Sequence, residues 1–286
     1  MHGADDTQIA NCLVMTSLFE TLFNVEQHSD SAALCTIIRE RGSVPRHVGS
    51  KMIVFADGHI EGTIGGGQME SRVIGEALTL LKNGTPKIVS YSLVNPKEGD
   101  PGVCGGEVEI FVEPIKPLPT LLVIGGGHVG KALVHLGRWL GFRVALSDDR
   151  PEFCSPESVP GADAYLPVPI ADLPKHFKFH SETYIVMPTR GVPFDVEGLP
   201  HLLDMPHAYI GVIGSRRRWA TAMKQLQEKG IPAEKLARVH APMGLELNAE
   251  TPEEIALSIL AEIVMHKRGG TGEPMKLVGE KKEAAK

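Results

Sequence analysis

The second half of the chain alternates apolar runs of strand length with longer stretches of helical character. The apolar runs are TLLVIG, FRVALSD, TYIVMP and AYIGVIG, which begin at residues 120, 142, 183 and 208. This alternation is typical of a doubly wound parallel sheet, in which helices cover both faces of the strands. We therefore predict an α/β domain of this class in the second half.

The first half has a different pattern, with several strand-like segments and one clear helix. AALCTIIRE, SKMIVFADG, KIVSYSLV and GEVEIFVEP are short and rich in β-branched or aromatic residues. Apolar residues recur every four positions at Met69, Val73, Ala77 and Leu81, which marks one face of a helix that ends near Gly84. The first half is predicted to be a mixed α+β domain.

The segment EPIKPLP, residues 113–119, separates the two patterns. It has three prolines in seven positions, a density that interrupts helices and central strands alike. We therefore predict an N-terminal domain over residues 1–114, a proline-rich linker over 115–119 and a second domain over 120–268.

A strong helix start closes the second domain. Thr251 is a suitable N-cap, Pro252 suits the first helical position, and Glu254 completes a capping box. The glycine-rich and charged residues 269–286 that follow the helix are predicted to form a flexible tail.

Composition limits the classes of function. With 286 residues, 42% of them hydrophobic, the chain is long enough for two globular domains. A net charge of −6 gives no general attraction to nucleic acid or to anionic membranes. No apolar run approaches the ~20 residues of a membrane span, and acidic residues stand where a signal peptide would carry basic ones. We expect a cytoplasmic protein without nucleic-acid or membrane partners.

The four cysteines lie far apart in the sequence, with no C-x-x-C pair. This spacing argues against a disulfide framework and against a tetrahedral zinc site. We expect reduced thiols.

A glycine fingerprint follows the first apolar run of the second half. Gly125, Gly127 and Gly130 have the G-x-G-x-x-G spacing between a strand and a helix, and Asp148 closes the next strand. The glycines allow a diphosphate to approach the helix N-terminus, and the aspartate can bond a ribose hydroxyl. We predict a Rossmann-like fold with a cofactor-binding turn that includes His128. The alternative is a structural turn, and the fingerprint does not specify hydride transfer.

A cluster of three arginines follows the last predicted strand of the sheet, in the segment IGVIGSRRRW. Cations in a first helical turn oppose the helix dipole unless an anion lies among them. We predict a phosphate site formed by Ser215, Arg216 and Arg217. The alternative is a solvated basic turn.

Two features of the first half are weaker candidates. Gly65, Gly66 and Gly67 join a strand to a helix, and their amides could form an anion nest, although a tight structural turn is the alternative. Cys104 lies among glycines, where an exposed thiolate would suit a metal or a transferable sulfur, although most isolated cysteines are inert.

These motifs in this order resemble the xanthine dehydrogenase accessory factor family, XdhC/CoxI. RGSVPRHVGSKMIV, DGHIEGTIGGGQMES and CGGEVEIFVEP are similar to its N-terminal domain. VIGGGHVGKAL, GFRVALSDDRPEF, YIGVIGSRRRW and RVHAPMGLELNAETPEEIALSILAEIV are similar to its Rossmann domain. The likeness covers about residues 30–268 and depends on the joint occurrence of the motifs.

The resemblance implies a cytoplasmic maturation factor, a cofactor chaperone rather than a catalyst. Such a factor binds molybdenum cofactor (molybdopterin) and delivers it, after sulfuration, to a molybdenum hydroxylase such as xanthine dehydrogenase. Its implied partners are that client, a cysteine desulfurase and a second copy in a homodimer, and NAD(P) or another nucleotide is an additional implied ligand.

The resemblance also bears on individual residues. Cys104 would contact molybdenum or its sulfur, and Gly65, Gly66 and Gly67 would shape the same cleft. Family members often have a histidine-bearing turn where this chain reads PTRGVPFD, with Val192 in the histidine's place. An NAD(P)-linked oxidoreductase and a nucleotide-sensing regulatory protein remain alternative functions.

Overall fold

The computed structural model describes residues 17–28, 31–93 and 105–275. The chain divides into two units, of which the first ends at Leu118 and the second begins at Pro119. Each unit has its own sheet and its own hydrophobic core.

The first unit combines two helices with five strands in its described part. In chain order the elements are α1 (Leu18–His28), β1 (Ala32–Arg41), β2 (Lys51–Phe55), β3 (Ile60–Gly62), α2 (Gly67–Asn83), β4 (Lys87–Ser92) and β5 (Glu107–Ile115). The strands form an antiparallel sheet in the order β3-β2-β1-β5-β4. The prediction of a mixed α+β first half is confirmed.

Helix α2 packs on one face of this sheet through the apolar stripe that the sequence predicted. Met69, Val73 and Ala77 are buried in the core of the unit. The fourth buried position is Leu80, whereas Leu81 is only partly buried. A helix with about 3.6 residues per turn drifts away from a strict four-residue spacing, which explains the difference.

The first of the clustered prolines lies inside a strand. Pro114 pairs with Ala33 of β1 on one side of β5. On the other side, the pairing of β4 with β5 ends at Val112, so Pro114 has a paired strand on one side only. This is a position that a residue without an N–H tolerates. The independent folding of the two predicted domains, joined by a 115–119 linker, stays a prediction.

The second unit is a parallel sheet with helices on both faces. In chain order its elements are β6 (Thr120–Ile124), α3 (His128–Trp139), β7 (Arg143–Ser147), β8 (Ala164–Leu166), α4 (Leu173–His176), β9 (Thr183–Met187), α5 (Val192–Gly198), β10 (Tyr209–Val212), α6 (Arg216–Glu228), α7 (Ala233–Leu236) and α8 (Pro252–Arg268). The strand order is β10-β9-β6-β7-β8, and every pair is parallel. The predicted Rossmann-like fold is confirmed.

Two apolar clusters cover the two faces of the parallel sheet. Residues of α3 and α8 pack on one face, together with Leu121 and Val144. Residues of α5 and α6 pack on the other face, together with Leu122 and Ile185. Because both faces are covered, the central strands β6 and β9 are buried at every position.

The last helix begins as the sequence predicted. The Thr251 side chain accepts a hydrogen bond from the Glu254 backbone, and the Glu254 side chain accepts one from the Thr251 backbone. Gly269 caps the end of the helix in the left-handed conformation, with a φ of 68°. Within residues 17–28, 31–93 and 105–275, no helix is long and apolar enough to cross a membrane.

Two of the four cysteines lie in the described residues, and both are free and buried. Cys35 lies in β1, and burial raises the pKa of its thiol to about 12. Cys154 donates a hydrogen bond to the backbone carbonyl of Leu146 at 3.3 Å. The reduced state of the thiols stays a prediction, and Cys12 and Cys104 lie outside the described residues.

We predict that Cys35→Ser lowers the free energy of unfolding of the first unit by about 1–3 kcal/mol, because it buries a hydroxyl among apolar neighbours. Cys154→Ser is the matched control, since its hydroxyl can donate to the Leu146 carbonyl as the thiol does. Denaturant unfolding of both variants measures the difference. Equal losses in the two variants would contradict the prediction.

His180 makes the stability of the second unit depend on pH. Its Nε2 lies 3.2 Å from the Thr120 hydroxyl, and its Nδ1 accepts from the Glu182 N–H, so the buried ring is neutral. Burial lowers the pKa of His180 from 6.5 to about 4. Between these two pH values the unfolded chain binds one more proton than the folded chain, so stability falls as the pH decreases.

We predict that this imidazole removes up to about 3 kcal/mol of unfolding free energy between neutral pH and pH 4. In His180→Gln, an amide replaces the ring and cannot titrate in this range. The unfolding free energy of the variant should therefore fall less steeply with decreasing pH. Parallel curves for the two proteins would refute a titrating His180.

Candidate functional site

The fingerprint turn joins β6 to α3, and its glycines differ in the space around them. A Cβ on Gly130 would lie 1.8 Å from the carbonyl oxygen of Gly125, so only glycine lets the helix approach the turn. A Cβ on Gly126 would lie 1.9 Å from the carbonyl oxygen of Phe153. A Cβ on Gly127, the N-cap of α3, would meet nothing within 4 Å. Gly127 therefore exposes its backbone to open space at a helix N-terminus, where a diphosphate can approach.

Asp148 follows β7 and ties the turn to the neighbouring strand. Its Oδ2 accepts from the Gly126 N–H at 2.9 Å and from Arg150 Nη2 at 3.0 Å. Its Oδ1 accepts from Arg150 Nε at 2.9 Å. Burial opposes ionisation of Asp148, but these hydrogen bonds outweigh it and lower its pKa. The carboxylate that was predicted to bind a ribose thus already accepts hydrogen bonds within the protein, and Arg150 donates to both of its oxygens.

A crevice of about 710 Å³ opens beside the turn, at the carboxyl ends of β6, β7 and β9. The chain leaves β6 for β7 on one side and reaches β9 on the other side, so this is the topological switch point of the sheet. Ligands of open α/β sheets bind at such points. Gly125, Gly127 and Asp148 line the crevice, whereas His128 is exposed at the start of α3. Their role in binding a cofactor stays a prediction.

Two arginines that sequence reasoning missed also line the crevice. Arg150 lies over the Phe153 ring, with 3.9 Å between its guanidinium carbon and the ring centre. Arg190 lies at the same distance over the Phe194 ring and donates to both oxygens of Asp149 at 2.7 and 2.9 Å. The signal for both was available in SDDRPEF and PTRGVPFD, since each arginine closely follows a strand of the parallel sheet.

Ser147, the last residue of β7, was also missed. It is fully buried and lines the crevice. Among the described residues, its Oγ is the one buried side-chain oxygen or nitrogen atom without a hydrogen-bond partner. A buried hydroxyl left unpaired costs about 1–3 kcal/mol. A ligand in the crevice could supply the missing partner.

The arginine cluster after β10 is divided between one residue that turns inward and two that are exposed, and the phosphate site predicted at Ser215, Arg216 and Arg217 stays a prediction. Ser215 caps α6 by accepting from the Arg218 N–H at 3.2 Å. Arg218 turns inward, donates to the buried Asp195 at 2.8 Å and also binds Thr189. Arg216 and Arg217 are exposed and do not line the crevice.

The pair of Arg218 and Asp195 fixes the start of α5. Asp195 has no exposed surface, and burial raises its pKa against the opposing effect of Thr189 and Arg218. Val192 begins the helix after Gly191 and packs against the apolar cluster on this face. Val192 therefore serves packing in this chain.

The glycine loop of the first unit, residues 65–67, is hydrogen-bonded to neighbouring side chains of the same unit. The Glu70 carboxylate accepts from the Ile64 N–H at 3.1 Å, from the Gly66 N–H at 3.2 Å and from the Thr63 hydroxyl at 2.6 Å. Of the three amides that were predicted to bind an external anion, that of Gly66 thus binds Glu70, and that of Gly65 donates to the Thr63 hydroxyl at 3.1 Å. Gly65 packs against Pro45, which supports the alternative interpretation of a tight structural turn.

Gly66 and Gly67 both have positive φ angles, and a Cβ on either would meet nothing within 4 Å. Cys104 itself lies outside the described residues. The described residues on either side of its segment are joined, because Gly105 donates to the Leu93 carbonyl and Leu93 donates to the Gly106 carbonyl, both at 2.8 Å. In the described part of the chain, no group of three or more His, Cys, Asp or Glu residues could hold a metal ion.

Two family models match the chain. The one described as the XdhC Rossmann domain matches residues 121–263, which is half of the chain. The one described as the XdhC and CoxI family matches residues 26–92.

Two proteins, from Escherichia coli and Bacillus subtilis, are similar to this chain over part of their length. The chain is 34% identical over 258 residues to a protein of E. coli (strain K12) described as uncharacterized protein YqeB, with 90% of this chain and 47% of that protein covered. It is 30% identical over 159 residues to a protein of B. subtilis (strain 168) described as a probable xanthine dehydrogenase subunit, with 56% and 46% covered. The chain spans about half the length of these two relatives.

A third relative is similar over most of both chains. The molybdenum cofactor insertion chaperone PaoD of E. coli (strain K12) is 23% identical, with 81% of this chain and 82% of that protein covered. A solved structure, described as a xanthine dehydrogenase from Bacillus halodurans, is 22% identical with a TM-score of 0.48 and covers 92% of this chain and 97% of that chain.

We predict that alanine destabilises the protein to different extents at two fingerprint glycines. Gly130→Ala should lower the free energy of unfolding by about 1–3 kcal/mol or more, because the new Cβ overlaps the Gly125 carbonyl. Gly127→Ala should lower it by less than about 1 kcal/mol, because its Cβ enters open space at an N-cap. Denaturant titration of both variants measures this, and a larger loss in Gly127→Ala would contradict the geometry.

Proposed function

The chain belongs to the XdhC and CoxI family, and on this basis we propose that it binds molybdenum cofactor and delivers it to a molybdenum hydroxylase. The observation that carries the proposal is the alignment with PaoD, a molybdenum cofactor insertion chaperone, over about four fifths of both chains. The B. subtilis relative, described as a probable xanthine dehydrogenase subunit, points to the same class of client.

The site supports a carrier of a phosphorylated ligand. The fingerprint turn presents the open N-terminus of α3, and the crevice adds two arginines and an unpaired buried hydroxyl. Molybdenum cofactor is a phosphorylated pterin with a dithiolene that holds the metal. The crevice therefore suits the phosphate-bearing part of this cargo.

Cys104 is the proposed soft ligand, as a contact to molybdenum or to its terminal sulfur. In the full proposal, a cysteine desulfurase partner supplies the terminal sulfur before delivery, and the carrier is a cytoplasmic homodimer. Gly65, Gly66 and Gly67 are proposed cofactor contacts of the first unit, together with Cys104.

The fingerprint turn favours a second candidate function, the sensing or use of a nucleotide such as NAD(P). Its specific support is the open backbone at Gly127. Binding of NADH without any bound pterin would favour a nucleotide sensor, and oxidation of NADH by a carbonyl substrate would favour an oxidoreductase.

We predict that co-expression of this chain with a xanthine dehydrogenase client, in cells that make molybdenum cofactor, raises the client's activity and molybdenum content. Cys104→Ser should abolish most of this increase, because a hydroxyl is a poor ligand for a soft metal site. Cys154→Ser is the control, since it removes a buried thiol of the second unit that hydrogen-bonds to Leu146.

The measurement is xanthine oxidation per molecule of purified client. A client that reaches the same activity with and without the chain would refute the carrier function. Full activation by Cys104→Ser would refute only the role of the cysteine.

A further inference from the structure

One of the arginines that line the crevice, Arg190, forms an ion pair with Asp149. Arg190 follows β9 and Asp149 follows β7, so their ion pair joins two strand ends that lie on either side of β6. Both partners are partly exposed, at 38% for the Arg190 side chain and 43% for Asp149. Only Nη2 of Arg190 makes a hydrogen bond within the described residues, so other donors of the guanidinium are available.

A second, independent observation points to a ligand at this place. The Ser147 hydroxyl is buried, lines the same crevice and has no partner among the described residues. Nearly all buried polar groups in native proteins are hydrogen-bonded, and an exception calls for a missing partner. A ligand oxygen in the crevice would accept from this hydroxyl.

A third group is held in a fixed position beside these two. Arg150 is bound to Asp148 through Nε and Nη2, and its guanidinium lies over the Phe153 ring. Asp148 is almost fully buried, so it acts as a support that orients the arginine. The remaining N–H groups of Arg150 can donate to a ligand without loss of this support.

We propose that the crevice binds the phosphate of a phosphorylated heterocyclic compound, and that Asp149 occupies the Arg190 guanidinium until this phosphate displaces it. Arg190, Arg150 and Ser147 are the proposed contacts. As a description of how the cargo is held, the proposal rests on the carrier function proposed above. As a phosphate site, it can be tested without any cargo.

The difference in charge favours the replacement of Asp149 by a phosphate as the partner of Arg190. A phosphate monoester carries up to about two negative charges and three acceptor oxygens, whereas Asp149 offers one charge and two oxygens. Arginine forms bidentate hydrogen bonds with phosphate and carboxylate alike, so Arg190 can change partners without changing its mode of binding. The exposed Glu197 also lines the crevice, but solvent screens its charge.

The rest of the lining suits a flat ring. Ile124, Pro169, Ile170, Pro188 and Phe194 give the crevice an apolar surface beside its few polar groups. This combination is typical of sites for small cofactors. Both a pterin and a nucleobase have this chemistry, so the source of the phosphate is left to the experiment.

The test is calorimetric titration of the full chain with inorganic pyrophosphate at fixed, physiological salt. We expect Arg190→Gln to weaken binding by about tenfold or more, and Ser147→Ala to weaken it about threefold to tenfold. Asp149→Asn should strengthen binding, because the guanidinium no longer has a competing charge. Arg216→Ala combined with Arg217→Ala should leave the affinity unchanged, since neither residue lines the crevice.

Other results would overturn the proposal. Unchanged affinity in Arg190→Gln, or loss of binding in the double variant of Arg216 and Arg217, would place the phosphate elsewhere. Weaker binding in Asp149→Asn would refute the exchange of partners. Melting curves of each variant without ligand identify any loss of folding, and Asp149→Asn keeps the test valid because its predicted change is a gain.

ADP then distinguishes the two sources of phosphate. If ADP releases the pterin from protein purified out of cofactor-producing cells, the crevice holds the cargo. If ADP binds through Arg190 and the pterin stays bound, the crevice is a nucleotide site and the cargo lies elsewhere. A third outcome separates the two proposals. If pyrophosphate binding depends on Arg190 but the protein never activates a client, the phosphate site is supported and the carrier function is refuted.

Discussion

The crevice depends on one buried carboxylate, that of Asp148. It accepts the Gly126 N–H from the fingerprint turn and two N–H groups from the Arg150 side chain, so it joins β6, β7 and the segment after β7. A charge buried this deeply must be paired and hydrogen-bonded, which forces Arg150 to stay beside the turn. The same contact that satisfies the carboxylate therefore places a cation next to the helix N-terminus, where an anionic ligand would bind.

The architecture could be predicted from sequence because it follows from local patterns. The apolar runs from Thr120, Phe142 and Thr183 are parallel strands, since strands covered on both faces have to be apolar throughout. The capping box at Thr251 is local chemistry and was found at its predicted place. The sequence pattern placed Leu81 on the buried face of α2, whereas Leu80 is the buried residue. The cause is the mismatch between a four-residue spacing and the helical repeat.

The partners of the charged side chains could not be predicted in the same way. Which of the three arginines after β10 turns inward is decided by Asp195, which lies in a different helix. The engagement of the glycine loop by Glu70 likewise depends on the way the first turn of α2 folds back on the loop. Such contacts are set by tertiary packing, so local sequence patterns do not reveal them.

The glycine turn and the crevice together are the basis of the proposed site for a phosphorylated ring compound, and the description of PaoD is the reason that we propose a pterin as the cargo. The most direct measurement is the molybdenum and pterin content of the chain purified from cells that make molybdenum cofactor. The account predicts both components in a near-equimolar ratio to the chain and their loss when the protein unfolds. Pterin and molybdenum no higher than in an unrelated protein purified from the same cells would contradict it.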